Sequence, residues 1–493
     1  MKSVTTKKPA AVAKKPAPAS AHRRAIEKKR VESVKPPIAA ARTPVASAKH
    51  PIAPADVHAT LARHMLADGY DLVLDLEKSK GRKLYDAKSG RWYLDMFSCF
   101  ATLPVGINHP KMADRDFLAQ LTRAALVNPT NSDVYTVEMA EFVATFGRLA
   151  MPEYMPHVFF VAGGTLGVEN ALKAAFDWKV RQNFRRGYRE EKGHQVIHFR
   201  GAFHGRSGYS LSLTNTTDPK KHQYFPKFDW PRIEAPALRF PVGAAETERV
   251  RRAENETIND IKNAFVQRKD DIACILIEPI QAEGGDRHFR PEFLRALRDV
   301  AHENRALLVF DEVQTGMGIT GRMWAHQHDD VRPDVLAFGK KTQVCGMMAG
   351  GMLDEEPDNV FRVSSRINST WGGNLVDMVR CRRYLEIIEE ERLLENAAKV
   401  GAHLERGLEA LVSERPEALS NARGKGLMCA IDLADGATRD AVAARAYDLG
   451  MVILPCGTRS LRFRPPLDVT TAEVDEALDI VRRAVVQESA KSA

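Results

Sequence analysis

The sequence predicts an α/β protein in which a large domain with a mainly parallel, doubly wound sheet is joined to a smaller α+β domain. Three observations carry this expectation. From about Leu118 strand-like apolar runs alternate with helical stripes, the pattern of a sheet covered on both faces. Two of those runs, 306–310 and, after its opening Asp334, 334–338, are continuous apolar stretches, as strands buried on both sides must be. From Val376 onward a long helix, short strands and a final helix read as the smaller unit. Thr470 and Glu473 stand in capping-box spacing ahead of that last helix, with Val474, Leu478, Val481 and Val485 on one face. The expected organisation is a tail at 1–54, an N-terminal part of the small domain at 55–110, the large domain at 111–375, and the rest of the small domain at 376–493.

The tail is rich in Ala, Lys, Pro and Arg and poor in large apolar side chains, so it is expected to be disordered. It also explains the charge. The first fifty residues hold 13 Lys and Arg against Glu27 and Glu32, a net of +11, which leaves −3 for the rest of a chain whose total is +8. Nucleic-acid contact is therefore expected only through the tail, and the body reads as an ordinary mildly acidic globular protein. Six cysteines without a CxxC pair, and no secretory leader, point to a reducing, cytoplasmic home, with neither a disulfide framework nor a zinc site. No apolar run reaches the roughly 18 residues of a membrane span.

Order is expected from Val57, with Leu61, Met65 and Leu66 as a helical stripe, then short strands at 72–76, 83–85 and 92–97. A strand at 157–161 runs into Gly163, Gly164, Thr165, Leu166 and Gly167, which open a helix. Backbone N–H groups at such a turn can approach a phosphate, though a helix can start this way with no ligand. The strand at 195–199 delivers RGAFHGRSGYS, with Phe203, His204 and Arg206 on a glycine-flanked loop. Residues 215–270 read as an excursion with a charged helix at 257–265. A strand at 272–277 ends in Glu278 and, five residues on, Glu283. Pro291 starts a helix with Phe293, Leu294, Leu297, Val300 and Ala301 on one face. Beyond residue 376 the strands are expected at 427–433, 451–454 and 460–463, with a helix at 439–449.

The chemistry concentrates in 306–347. The run at 306–310 stops at Asp311 and Glu312, and the run at 334–338 at Gly339, Lys340 and Lys341. Neighbouring parallel strands end on one rim, which puts a carboxylate beside an amine. Either pair alone is also what solvated strand ends look like. Together they suit pyridoxal 5'-phosphate, which takes a lysine at its aldehyde and an anion at its ring nitrogen.

With Gln314, Thr315, Gly316, Gly318 and Gly321 in between, the stretch resembles the class III family of pyridoxal-phosphate aminotransferases, a fold type I architecture. FHGRSGY, FGKKTQVCG and NSTWGGN resemble the members that act on the terminal amine of L-lysine. The resemblance implies Lys340 as the cofactor lysine, with Lys341 as its rival, Asp311 at the pyridine nitrogen, Gln314 near the phenolic oxygen, and Phe203 on the ring. It implies Gly164 and Thr165 at the phosphate, and Thr370 reaching the partner's phosphate across a homodimer. Substrate contacts would come from Arg206, Asn368 and Arg462, with Glu283 neutralising Arg462 and Arg464 serving structure. The implied reaction passes an amino group from L-lysine to 2-oxoglutarate. Ornithine, 4-aminobutyrate or another ω-amine is the alternative donor. A basic-tailed nucleic-acid binder with a degenerate enzyme body is the alternative of a different class.

Overall fold

Seven strands build the central sheet: His157–Val161 (β1), Gln195–Phe199 (β2), Arg232–Ile233 (β3), Ile272–Ile277 (β4), Leu307–Asp311 (β5), Val335–Phe338 (β6) and Cys345–Ala349 (β7). Their spatial order is β1-β7-β6-β5-β4-β2-β3, and only β7 runs antiparallel to its neighbours. This computed structural model describes residues 51–492, so the basic segment at 1–50 lies outside the described residues. Every residue of β4, β5 and β6 is buried. Alternate side chains serve opposite faces. Leu307 and Val309 pack with Val168, Leu172 and Ala175 of the helix Gly164–Arg185 (α1), whereas Leu308 and Phe310 pack with Phe293, Leu294 and Leu297 of the helix Pro291–Glu303 (α2). The sheet is thus wound on both faces, the expected α/β class.

Two strands of that sheet were not anticipated, the short edge strand β3 within the 215–270 excursion and β7, between β1 and β6. β7 follows the lysine pair closely and carries a glycine, so no alternation announces it. Gly346 is there because a Cβ at this position would come within 2.1 Å of the Phe159 carbonyl oxygen on β1.

The smaller sheets are made from both ends of the chain. Lys83–Tyr85 pairs antiparallel with Trp92–Asp95, which in turn pairs parallel with Met451–Val452. A four-stranded antiparallel sheet runs Leu419–Lys425, Met428–Leu433, Ser460–Phe463, Leu454–Cys456. The expected strand at 451–454 is therefore split, with its halves in different sheets. The expected strand at 72–76 reduces to one bridge, Leu74 to Asp86. Among the described residues the α-helix near the start is confined to Val57–Ala62, and Leu61, Met65 and Leu66 are exposed and join no buried core. The charged helix at 257–265 is the end of a 24-residue helix, Ala244–Gln267. The capping box forms as expected: Glu473 Oε2 accepts from Thr470 N at 2.9 Å and Thr470 Oγ1 from Glu473 N at 3.3 Å.

One buried ion pair ties the two kinds of sheet together. Arg464, just past Ser460–Phe463, meets Asp286 from the loop after β4 at 2.5 Å, and both side chains are completely buried. Arg423 reinforces the joint by donating to the carbonyls of Asp286 and Gly285. Removing one member of such a pair strands a charge away from water. Asp286→Ala is expected to cost about 3–5 kcal/mol, read as a clear fall in thermal midpoint. Glu414→Ala, which removes the solvent-exposed partner of Arg482, is expected to leave the midpoint unchanged.

Candidate active site

The carboxyl ends of β1, β2, β4, β5 and β6 converge on one rim, and a cleft of about 350 Å³ opens there. Parallel pairing sets Ala337 of β6 opposite Asp311 of β5, so Lys340, three residues further on, faces the same space as the Asp311 carboxylate. A larger concavity of about 960 Å³ lies elsewhere, an open polar groove containing Arg249, Arg287 and Arg459 with Glu256 and Asp260. The smaller cleft holds the chemistry.

Lys340, two residues past the end of β6, has left-handed backbone, φ 54°, which turns its side chain off the strand direction. Burial, then the charge of Arg462, pulls its ammonium below the ordinary lysine range, against Asp311 and Glu283. Asp311 is 5% exposed; its Oδ2 lies 2.8 Å from His204 Nδ1 and its Oδ1 accepts from Val313 N at 3.0 Å. Beside it, Glu278 accepts from the backbone N–H of Phe203 and Ala282. Burial, with the Asp311 charge, pushes the Glu278 carboxyl up to about 7.

At the β1 end, α1 begins with Gly164 and Thr165 in the cleft wall. Thr165 Oγ1 is hydrogen-bonded to Ser207 Oγ at 2.9 Å and to Ser210 Oγ at 2.6 Å. Gly205, at φ 129°, passes so close that a Cβ would lie 2.1 Å from Thr165 Oγ1, and a Cβ on Gly164 would lie 2.9 Å from Val313 Cγ1. The N-terminus of a 22-residue helix, with hydroxyls around it, is an anion cradle. Phe203 and Val313 also line the cleft. A flat aromatic aldehyde carrying a phosphate fits this donor set: an amine on one side, a buried carboxylate on another, and a cradle for the dianion.

Another part of the site is ionic. Arg462, 2% exposed, donates to Glu283 Oε2 at 2.7 Å and to Gln314 Oε1 at 3.3 Å. Lys221 holds the other Glu283 oxygen at 2.5 Å. Arg464 Nε also donates to Gln314 Oε1, at 3.0 Å, which leaves the amide NH₂ of Gln314 for a ligand. Arg464 is otherwise committed to Asp286, the structural duty expected of it. Arg206 lines the cleft over the Phe203 ring at 5.8 Å, is exposed, and has no ion pair among the described residues.

Asn368 and Thr370 do not join this set. Both are exposed on the loop before the helix Leu375–Glu390, and neither lines the cleft of its own chain. Four contributors escaped the sequence reading. His204 and Glu278 stood inside quoted motifs, but nothing in the pattern marked them as buried beside Asp311. Val313 lay inside the central stretch, and Lys221 sat in an excursion with no signal. Among the described residues no group of three or more His, Cys, Asp or Glu is arranged to hold a metal, and no helix is long and apolar enough to cross a membrane.

Comparison with known proteins gives one consistent picture. The family model for class-III aminotransferases matches residues 65–485. The L-lysine-epsilon aminotransferase of Mycobacterium tuberculosis is 54% identical over 433 residues, 88% of this chain and 96% of that protein. The enzyme of the same description from Amycolatopsis lactamdurans is 55% identical over 426 residues, 86% and 94% of the two chains. Mouse mitochondrial 4-aminobutyrate aminotransferase is 33% identical, covering 81% and 82%. The solved lysine aminotransferase of M. tuberculosis superposes with a TM-score of 0.86 at 54% identity, over 88% of this chain and 99% of that one. A transaminase from the marine bacterium Virgibacillus, 20% identical, shares the fold with a TM-score of 0.77.

Burial pushes the Glu283 carboxyl up, but Arg462 and Lys221 outweigh it and hold it below the ordinary glutamate range. A carboxylate depressed in the folded state lends stability above its unfolded pKa, about 4.3, and loses it as pH falls through the folded value. Glu283→Gln lacks that contribution. Its thermal midpoint is expected to lie below that of the unaltered protein at neutral pH, with the gap closing on acidification. A gap independent of pH would contradict the ionic reading of this contact.

Proposed function

The chain belongs to the class-III aminotransferase family, and we propose that it moves the terminal amino group of L-lysine to 2-oxoglutarate. The products are 2-aminoadipate 6-semialdehyde, which cyclises to piperideine-6-carboxylate, and L-glutamate. The observation that carries this reading is a half-buried amine, Lys340, sharing one cleft with the buried carboxylate Asp311 and with Glu283, which already covers an arginine, Arg462.

As a member of this family the enzyme depends on pyridoxal 5'-phosphate, which when bound supplies an aldehyde for amine exchange and a ring that accepts the electron pair left by proton removal. The residues that would hold it are Lys340 at the aldehyde, Asp311 at the ring nitrogen, Gln314 through its free NH₂ at the phenolic oxygen, and Phe203 against the ring. Gly164 and Thr165 take the phosphate. His204 fixes the Asp311 carboxylate from behind. Lys340, its amine pulled toward the neutral form by burial, would be the base that takes a proton from the terminal carbon of lysine and the acid that delivers it to the carbon that carried the cofactor's aldehyde.

The two substrates make opposite electrostatic demands. Lysine brings no carboxylate to the reacting end, whereas 2-oxoglutarate does. An uncovered Arg462 would face lysine's alkyl chain as a bare desolvated cation. Glu283 covers it for the lysine half and withdraws toward Lys221 when a carboxylate competes. Arg206, without an ion pair among the described residues, is left to grip the α-carboxylate of lysine and the distal carboxylate of 2-oxoglutarate through its planar fork.

The exposed position of Asn368 and Thr370 supports a homodimer in which Thr370 reaches the partner's cofactor phosphate and Asn368 its substrate. Exposed Leu126, Val127, Val134, Tyr135, Val137 and Trp371 supply apolar surface for such an interface. Six free cysteines suit a reducing, cytoplasmic setting.

Purified protein is expected to show a visible cofactor band that L-lysine bleaches and 2-oxoglutarate restores, with a cyclic imine accumulating. Lys340→Ala is expected to abolish turnover. If ornithine or 4-aminobutyrate bleaches the band faster than L-lysine does, the donor assignment is overturned within the same family. Glu283→Ala is expected to slow the lysine half-reaction about tenfold more than the glutamate half; equal losses would reject the switch.

A further inference from the structure

Lys341, the neighbour of the cofactor lysine, is 1% exposed and has no carboxylate within ion-pair distance among the described residues. Its Nζ donates to the carbonyl of Ala101 at 3.1 Å. Ala101 closes an unusual turn. Ser98, Cys99, Phe100 and Ala101 all have positive φ, 39°, 51°, 60° and 63°, and none is glycine. L residues avoid a run of left-handed backbone because Cβ crowds the following carbonyl, so four in succession persist only under external restraint.

The restraints come from two sides. Asp95 Oδ1 accepts from the N–H of Phe97 and Ser98, and Ser98 Oγ donates to the Arg464 carbonyl at 2.6 Å. From the other side, Lys341 holds Ala101 and Gln343 Nε2 donates to the Thr102 carbonyl at 2.8 Å. Those two donors sit on a turn that is itself strained, since Lys340 has φ 54° and Gln343 φ 61°. Two left-handed turns are latched face to face, and the amine of Lys341 is one of the two latches.

We propose that Lys341 is a positioning residue, whose buried amine locks the left-handed turn at Ser98–Ala101 against the Lys340 turn and thereby fixes where the Lys340 amine stands in the cleft. Burial, then the charges of Arg464 and Lys340, drives its ammonium well below the ordinary lysine range, toward the uncharged donor. That suits a group facing a carbonyl instead of a carboxylate. It also keeps a second cation away from the cofactor lysine. The role presupposes Lys340 as the cofactor lysine, as proposed above.

The test compares Lys341→Met, Gln343→Ala and Lys340→Ala in the purified holoenzyme. Methionine keeps an unbranched chain of four of lysine's five side-chain atoms and lacks the terminal donor. Lys341→Met is expected to keep its visible band, to lose kcat about tenfold or more through misplacement of the reacting amine, and to change KM for L-lysine by less than about threefold. The pH midpoint of the band should move by about half a unit or more. Ala101→Gly relieves the strain the latch restrains, so the double variant Lys341→Met with Ala101→Gly should recover most of the lost kcat. Unchanged kcat and midpoint in Lys341→Met, or a loss that Ala101→Gly does not recover, would overturn the positioning role. If Lys341→Met does not fold, Gln343→Ala decides: a shifted midpoint at unchanged thermal stability supports the latch, and an unshifted one refutes it. A band that survives Lys340→Ala and vanishes in Lys341→Met would instead overturn the cofactor assignment and exchange the two lysines.

Discussion

Parallel pairing of β5 with β6 is the constraint on which the site depends. Because both strands run the same way and Ala337 pairs with Asp311, the last residue of one strand and the turn after the other are delivered to one rim. No loop has to be ordered to bring a carboxylate to an amine. The same rule brings in the start of α1 after β1, the Phe203 loop after β2 and the Glu278 to Glu283 segment after β4. The two cores on either face of the sheet hold these strands rigid, so the positions of the charged groups are fixed by apolar packing several residues away.

Buried charge then has to be balanced inside a small volume. Arg464 is matched by Asp286 and Arg462 by Glu283, while Asp311 is steadied by His204. These pairings differ in permanence. Asp286 and Arg464 are both sealed from water and serve as a joint. Glu283 is shared between Arg462 and Lys221 and keeps about a fifth of its side chain exposed. A carboxylate with a second cation to move to is suited to leave the first.

The central sheet was legible because strands buried on both faces leave continuous apolar runs, and five of its seven strands carried such a run or a clear end signal. β7 was not, since a glycine and two methionines after a lysine pair carry no period. Leu74 shows the opposite failure: 72–76 has strand composition, but only one residue finds a partner. At the site, Asp311 and Lys340 could be read from their place at strand ends. Gln314, Arg462 and Glu283 were readable only through resemblance, because Glu283 lies 179 residues from the arginine it meets. Lys221 had no signal at all, and His204 needed the fold to show which carboxylate it would reach.

Two adjacent lysines at the end of β6 sharpen the electrostatic logic. Two ammonium groups on successive residues, one buried and one in the cleft wall, with Arg462 and Arg464 nearby, cannot both be charged at low cost. The fold resolves this by giving them different surroundings. Lys340 faces Asp311 and Glu283, which partly restore its basicity and leave it able to take and release a proton. Lys341 faces a backbone carbonyl and two cations, so its neutral form is the one that fits. A sequence motif that reads as a repeated residue is therefore two chemically distinct amines, separated by the direction in which one left-handed turn sends them.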